Sequence, residues 1–510
     1  MGRWLAAIAV MSSAVMEVLD TSVVNVSLPH IGGSLSATVD EATWVLTSYL
    51  VANAVILPIT GWLANYLGRK NLLMMSLTGF TVSSLLCGLA PNLPMLILFR
   101  LLQGACGGCM QPLSQAVLLE AFPPEDRGKA MGFWGLGIVA APVLGPVLGG
   151  WLTDTLSWRW VFYINLPVGI ASIIMTQRYI FDPSYIKRAS SRIDYWGIGM
   201  LAVWVGTLQV ALDKGQEEDW TSSAFINLLL VISSVSLIAF IWREIAAAHP
   251  VVSLSVFKTR TYAVGVFLMT LLGFGLYGSL VILPIWLQTL LGYPSIQAGL
   301  ALAPRGMGSM LAMPVVGAIS GRIDNRKLLA CGLTLCGTTM WMLSRLNLNV
   351  GYWDLFWPQF LQGISLGLIF VPLTTVTMAP VARENMGNAT SLFNLMRNLG
   401  GSMGIAATTA LTARYQQEHQ NYVISHISPY NPKFNAMLSG LRTMFMGHGD
   451  GYALANRKAL ASVYGVVQQQ TAMLTFVDVF RLLMMVFVVM LPLLLLLKKP
   501  PTGGPRIAAH

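Results

Sequence analysis

The chain has 510 residues, of which 55% are hydrophobic and only 10% charged, against about a quarter charged in an ordinary soluble protein. This excludes a string of soluble domains and leaves an all-α polytopic membrane protein. The net charge of +10 does not call for a nucleic acid, because membrane proteins gather Lys and Arg in the loops on one side.

A membrane span needs about 20 mostly apolar residues. Fourteen such runs follow one another, near 4–28, 43–64, 72–90, 94–118, 129–152, 160–179, 195–213, 224–244, 261–290, 296–319, 328–346, 355–378, 388–411 and 473–497. The first opens as MGRWLAAIAVMSSAV, like a signal peptide, but stays apolar to Leu28. That is too long for a signal-peptide core, so it is read as an uncleaved span. With the N-terminus inside, the inner loops and tails carry Arg3, Arg69, Lys70, Arg127, Lys129, Lys187, Arg188, Arg192, Lys258, Arg260, Arg322, Arg326, Lys327, Arg383, Lys498 and Lys499. The short outer loops hold little beyond Arg159, Lys214 and Arg345. The bias predicts both termini cytoplasmic. The segment 412–472 is read as a long outer loop, polar with apolar stretches, and a loop of that length has a purpose or is disordered.

The chain repeats itself. GWLANYLGRKNLL (61–73) returns loosely as GAISGRIDNRKLL (317–329), and FRLLQGACGGCMQPL (99–113) as PQFLQGISLGLIFVPL (358–373). Gly61 and Gly317 stand 256 residues apart, and Gln103 and Gln362 stand 259 apart. Two six-span halves are therefore expected, residues 1–193 and 259–510, with two inserted spans in 194–258. Parallel repeats with a site at their interface are a transporter plan.

Charges inside spans are costly and mark ion or proton routes. Asp20 lies eight residues, about 12 Å, from the outer end of the first span, and Arg100 lies six residues, about 9 Å, from the same side of the fourth. Their similar depth allows a charge pair if the two spans are neighbours. Glu17 precedes Asp20 by three residues and shares its helix face. These three are the candidate proton-coupling residues, with a static ion pair as the plainer reading. Further spans carry Arg305, Arg397 and Arg481. Asp478 and Arg481, three apart, can pair with each other. Four span arginines against the acids Glu17, Asp20 and Asp478 suit weakly acidic, lipophilic substrates. Arg397 and Asn394, with Asn25 and Gln103, are candidates for substrate contact or for ties between spans.

GPVLGG (145–150) with Pro142 and Pro146 reads as a close-packing helix. Gly145, Gly149 and Gly150 let backbones approach, and the prolines remove helix hydrogen bonds and permit a bend. Such a span would seal the interface between halves. Gly61, Gly68, Arg69 and Lys70 form a basic loop after the second span, read as an orientation signal and inner-gate contact. The five cysteines lie in apolar runs and read as packing residues. Cys106 and Cys109 form a CxxC with no completing pair. The six histidines, His30, His249, His419, His426, His448 and His510, fall in loops or tails, so neither a metal nor a cofactor is expected beyond the proton. No GxxxxGK[ST] phosphate loop appears, so the chain is not expected to hydrolyse ATP.

At these motifs the chain resembles the major facilitator superfamily, and within it the fourteen-span drug:proton antiporters. The matching residues are LDTSVVNVSLP (19–29), Gly61, Gly68, Arg69 and Lys70, then Arg100, Gln103, Gly104, Gly107 and Gly108, then GLGIVAAPVLGPVLGGWL (135–152). NLMRNLGGSMG (394–404) extends the match more loosely into the second half. The whole chain is most similar to EmrB-type pumps of Gram-negative bacteria. Asn65 departs from the acidic residue usual in the loop motif. The resemblance implies a major facilitator fold and proton-coupled export of lipophilic drugs across the inner membrane. It also implies a periplasmic membrane-fusion adapter with an outer-membrane channel, for which 412–472 is the candidate docking segment. A symporter is disfavoured by the span-five motif. The alternatives outside transport are a lipid-modifying membrane enzyme and a non-transporting sensor.

Overall fold

A computed structural model describes residues 2–182, 194–247, 250–320, 322–425, 427–428 and 430–497. Lys187, Arg188, Arg192, His249, His426, Lys498, Lys499 and His510, and the boundary expected at 193, lie outside the described residues.

The first half comprises α1 (Gly2–Ser34), α2 (Val39–Ile56), α3 (Thr60–Leu67), α4 (Arg69–Leu89), α5 (Leu93–Gly107), α6 (Met110–Ala121), α7 (Arg127–Thr155), α8 (Trp160–Tyr163) and α9 (Asn165–Tyr179). The insert is α10 (Tyr195–Lys214) and α11 (Ala224–Ala246). The second half comprises α12 (Arg260–Thr289), α13 (Ser295–Ile319), α14 (Asn325–Leu343), α15 (Tyr352–Met378), α16 (Met386–Ser425), α17 (Pro432–Gly447) and α18 (Tyr452–Leu493). Helices occupy all fourteen positions marked in the sequence. Among the described residues, twelve are long and apolar enough to cross a membrane. The other two positions belong to α14 and α16, whose Asn, Thr and Arg content lowers their hydropathy.

Three spans are broken where the sequence dictates. Pro58 interrupts the second with a 3-10 turn at Leu57–Ile59, between α2 and α3. Gly107 and Gly108 separate α5 from α6. The sixth breaks at Ile164, which places Asn165 at the start of α9. The fifth, by contrast, runs unbroken as α7 with Pro142 and Pro146 inside it. Pro146 has no N–H to give the Pro142 carbonyl, and Ser22 Oγ of α1 donates to that oxygen instead, at 3.2 Å.

Each half wraps its own core, α1 against α7 and α9, and α12 against α16. The halves meet along α7 with α13 and α15, and along α16 with α3 and α6. Their closest approach lies at the end that carries the basic loops. A Cβ at Gly61 would stand 2.6 Å from the Asn388 backbone, and one at Gly128 2.9 Å from the Gly317 carbonyl. Trp134 of α7 stacks on Phe370 of α15 with centroids 5.8 Å apart.

The insert is asymmetric. α11 is mostly lipid-facing, with Ile238, Trp242 and Ile245 exposed. α10 instead touches both halves: Gln209 and Ser402 of α16 exchange hydrogen bonds at 2.9 and 3.1 Å, and Lys214 donates to Thr43 at the end away from the basic loops. The two inserted helices are tied together by Asp194 and Arg243, 3.1 Å apart. Burial opposes the Asp194 charge, but Arg243 and the Gly197 amide outweigh it and hold this carboxyl below its ordinary range.

Residues 412–472 are not the loop expected. α16 continues past the membrane run to Ser425, α17 follows, and α18 starts at Tyr452. The reason is periodic: Ala455, Ala459, Val463 and Val467 recur every fourth residue and are buried, which is one face of a helix. Hydropathy suited to finding spans overlooks a helix of this polarity. His30 and His419 accordingly lie within helices, not in loops. Asp478 pairs with Arg481 as expected, at 3.0 Å, and also with His419, at 2.8 Å.

Candidate transport site

α1 carries both carboxylates, one turn apart, and the fold gives them different surroundings. Asp20 and Arg100 are fully buried and 2.6 Å apart. Asp20 Oδ1 also accepts from Gln103 Nε2 at 3.1 Å and from Asn165 Nδ2 at 2.7 Å. Arg100 donates further to Gln103 Oε1 at 2.7 Å and to the Val45 carbonyl at 3.1 Å. Its guanidinium lies over the Tyr49 ring, 4.2 Å from the centroid. Asn165 is fixed in turn by Ser84, at 3.0 Å. The pair is thus enclosed within the first half by α1, α2, α4, α5 and α9.

Glu17 sits on the seam instead. Asn53 Nδ2 donates to its Oε1 at 2.7 Å, and Oε2 has no hydrogen-bond partner among the described residues. Arg397 of the second half acts on it electrostatically, and the same arginine donates to Gln111 of α6. Asn394, one turn earlier on α16, donates to Gln115 of α6 at 2.7 Å. Arg397 and Asn394 are therefore ties between the halves in this conformation, close to the acid that faces the seam.

The other sequence candidates are placed as follows. Asn25 is exposed on α1, apart from the Asp20 network. Gly145 and Gly149 face α1 within their own half, against Ser22 and Val23. A Cβ at Gly150 would meet nothing within 4 Å. The seam on α7 is made by Gly128, Gly132 and Gly135, a Cβ at Gly135 standing 3.0 Å from Met313 Sδ of α13, and Pro146 lies 3.9 Å from a Cβ built at Gly299. Arg69 is buried in an ion pair with Glu120 at the end of α6. Gly68, at φ 87°, turns the chain so that the Lys70 amide donates to Asp182 at 2.8 Å.

Asn53, Gln111, Gln115, Glu120 and Asn165 were not singled out in the sequence. Uncharged amides inside spans are a usable signal, because each must find a partner there. Glu120 falls at the membrane end of its helix, where a carboxylate reads as a solvated residue.

The comparisons with known proteins agree with this architecture. A family model described as Major Facilitator Superfamily matches residues 10–405. Multidrug export protein EmrB of Haemophilus influenzae is 40% identical, covering 84% of each chain. Fatty acid resistance protein FarB of Neisseria gonorrhoeae is 38% identical over 86% of this chain and 87% of its own. Among solved structures, the human organic anion transporter MFSD10 superposes with a TM-score of 0.58 at 13% identity, over 95% of this chain and 99% of that one. The chain is a multi-pass membrane protein and belongs to the major facilitator superfamily.

Proposed function

We propose that the chain exports lipophilic compounds, weak acids among them, in exchange for protons. It does so by alternating access across a bacterial inner membrane, with both termini in the cytoplasm. The observation that carries this reading is the pair of buried carboxylates one turn apart on α1. One is locked to an arginine of its own half, and the other lies on the seam with one oxygen free of partners. In the cycle, Glu17 Oε2 takes a proton when the seam opens to the acidic side. Movement of α5 or entry of water loosens Asp20 from Arg100 and lets the second carboxylate exchange a proton. The substrate occupies the space between the halves when the α7–α13 and α3–α16 contacts part. The work is translocation, and no covalent chemistry is assigned to the chain. Relatives named for multidrug export and fatty acid resistance support the substrate class.

The helical extension formed by the end of α16, α17 and the start of α18 is the surface we assign to a periplasmic membrane-fusion adapter leading to an outer-membrane channel. Its exposed Tyr430, Met437, Met444 and Tyr452 support that role. Deleting 427–451 with a short linker should abolish capture of the adapter. Unchanged capture by the folded variant removes the assignment.

The export reading is tested with purified protein in liposomes. A proton gradient imposed in the pump's inward direction should drive a lipophilic substrate the opposite way, and nigericin, which collapses the gradient, should stop it. Substrate movement indifferent to the gradient overturns the proposal.

A further inference from the structure

The second half contains a counterpart of the Asp20 network with its acid missing. Ser279 stands 259 residues after Asp20, the same separation that relates Gln362 to Gln103, and Arg305 stands 256 residues after Tyr49, as Gly317 does after Gly61. The bonds follow the repeat. Asp20 accepts from Arg100 and Gln103. Ser279 Oγ accepts from Arg305 at 2.9 Å and from Gln362 at 3.4 Å. The arginine has changed helix: it comes from α13, at the place of Tyr49, and Gln359 stands where Arg100 would be. The carboxylate has become a hydroxyl.

The consequence is a buried cation without a counter-charge. Arg305 is 3% exposed. Its Nε and one terminal nitrogen have no partner among the described residues, and neither do Gln359 Oε1 and Gln362 Oε1. No acid occurs within α12, α13 or α14. The single acid of α15, Asp354, is engaged in its first turn by the Gly351 amide at 2.9 Å. An isolated guanidinium costs several kcal/mol to keep in such a place, and intramembrane charges of this kind belong to substrate or ion paths. Packing alone gives no reason for it, because an apolar side chain would fill the α13–α15 crossing at lower cost.

We propose that Arg305, with Ser279 and Gln362, is the subsite that receives the anionic group of a lipophilic acid, so that the substrate supplies the carboxylate that Asp20 supplies in the first half. The two halves then divide the work: the first half carries protons on its own carboxylates, and the second half binds acids. The guanidinium still has unpartnered N–H donors to offer a carboxylate. Gln359 and Gln362 of α15 are buried beside it. This subsite rests on the reading of the chain as an exporter of lipophilic acids.

The test separates charge recognition from transport. Binding of the fluorescent acid 11-(dansylamino)undecanoic acid and of its methyl ester is measured on the purified full chain in nanodiscs, without a gradient and with empty nanodiscs subtracted. Arg305→Gln should weaken the acid about tenfold or more and leave the ester unchanged, with a melting temperature equal to or above that of the wild type. Ser279→Asp supplies the missing counter-ion from within, keeps the arginine, and should produce the same split. Should Arg305→Gln not fold, Ser279→Asp decides alone. Equal loss of acid and ester, unchanged binding of the acid, or a lowered melting temperature with both ligands lost makes Arg305 structural and overturns the proposal. Gradient-driven movement of a neutral substrate should persist in both variants. If the wild type shows the acid-over-ester preference but no gradient-driven transport, the export reading fails while the subsite stands.

Discussion

Asn53 of α2 donates to Glu17 Oε1 of α1 at 2.7 Å, and the second carboxylate oxygen is buried without a hydrogen-bond partner among the described residues. Glu17→Gln keeps the acceptor for Asn53 and removes only the ability to carry a proton. The variant should melt within a few degrees of wild type, exchange substrate, and lose the dependence of transport on the proton gradient. Melting curves and gradient-driven uptake on the same preparation check this, and normal uptake would return Glu17 to a structural role.

Asp20 differs because it balances a buried cation. Arg100→Ala leaves Asp20 buried without its charge partner and should cost about 3–5 kcal/mol of stability. The double variant Asp20→Asn with Arg100→Gln replaces both charges by amides able to bond each other and Gln103. It should recover most of that stability while remaining uncoupled. Denaturation of the single and double variants forms a cycle, and a double variant as unstable as the single would show that the charges themselves hold the fold.

Neighbouring glycines of α7 should respond in opposite ways. A Cβ at Gly149 would stand 2.8 Å from the Val23 carbonyl, whereas one at Gly150 meets nothing within 4 Å. Gly149→Ala should therefore cost about 1–3 kcal/mol by overpacking α1 against α7. Gly150→Ala should be neutral or favourable by up to about 1 kcal/mol through helix propensity. Equal effects would mean that α7 meets α1 through a different face.

The seam at the basic end can be locked. A Cβ at Gly128 lies 3.0 Å from Ser320 Cβ and 2.9 Å from the Gly317 carbonyl, closer than the roughly 3.5–4.5 Å of disulfide-bonded cysteines, so the seam must part slightly to take the pair. Gly128→Cys with Ser320→Cys should crosslink on oxidation and halt transport, and reduction should restore it. Full transport by the crosslinked protein would mean that this seam does not open in the cycle.

Asp194 gives a pH-dependent contribution to stability. Its folded value is depressed, so its stabilisation is fully present above the ordinary aspartate value, near 3.9, and fades as pH falls through the folded value. Asp194→Asn should lower the melting temperature at pH 7, with the difference from wild type narrowing once pH falls below the ordinary aspartate value of about 3.9. A difference that does not shrink as pH is lowered would place the effect in the N-cap bond to Gly197 and not in the charge.

Much of this was legible because a few rules act strongly in membranes. Among the described residues, twelve helix positions follow from apolar length alone, and the Asp20–Arg100 pair from similar depth on spans of opposite direction. The amides that complete the site were not legible. Asn165 reaches Asp20 from 145 residues away, through a helix break that hydropathy does not register. Glu120 looked solvated, and only the packing of α4 against α6 shows Arg69 upon it. The helices of 412–472 carried a clear four-residue apolar repeat that a search for spans passes over. The Ser279–Arg305 relationship was present in the repeat offsets, but its meaning depends on an arginine that moved from one helix to another, which only the structure reveals.

The central claim is that a carboxylate on α1 couples proton flow to substrate export, and Asp20→Asn in liposomes tests it most directly. Wild type and variant are compared for substrate exchange without a gradient and for accumulation with one. The account predicts that the variant exchanges substrate but ignores the gradient. A variant that concentrates substrate as wild type does would contradict it, and would make the buried Asp20–Arg100 pair a structural tie.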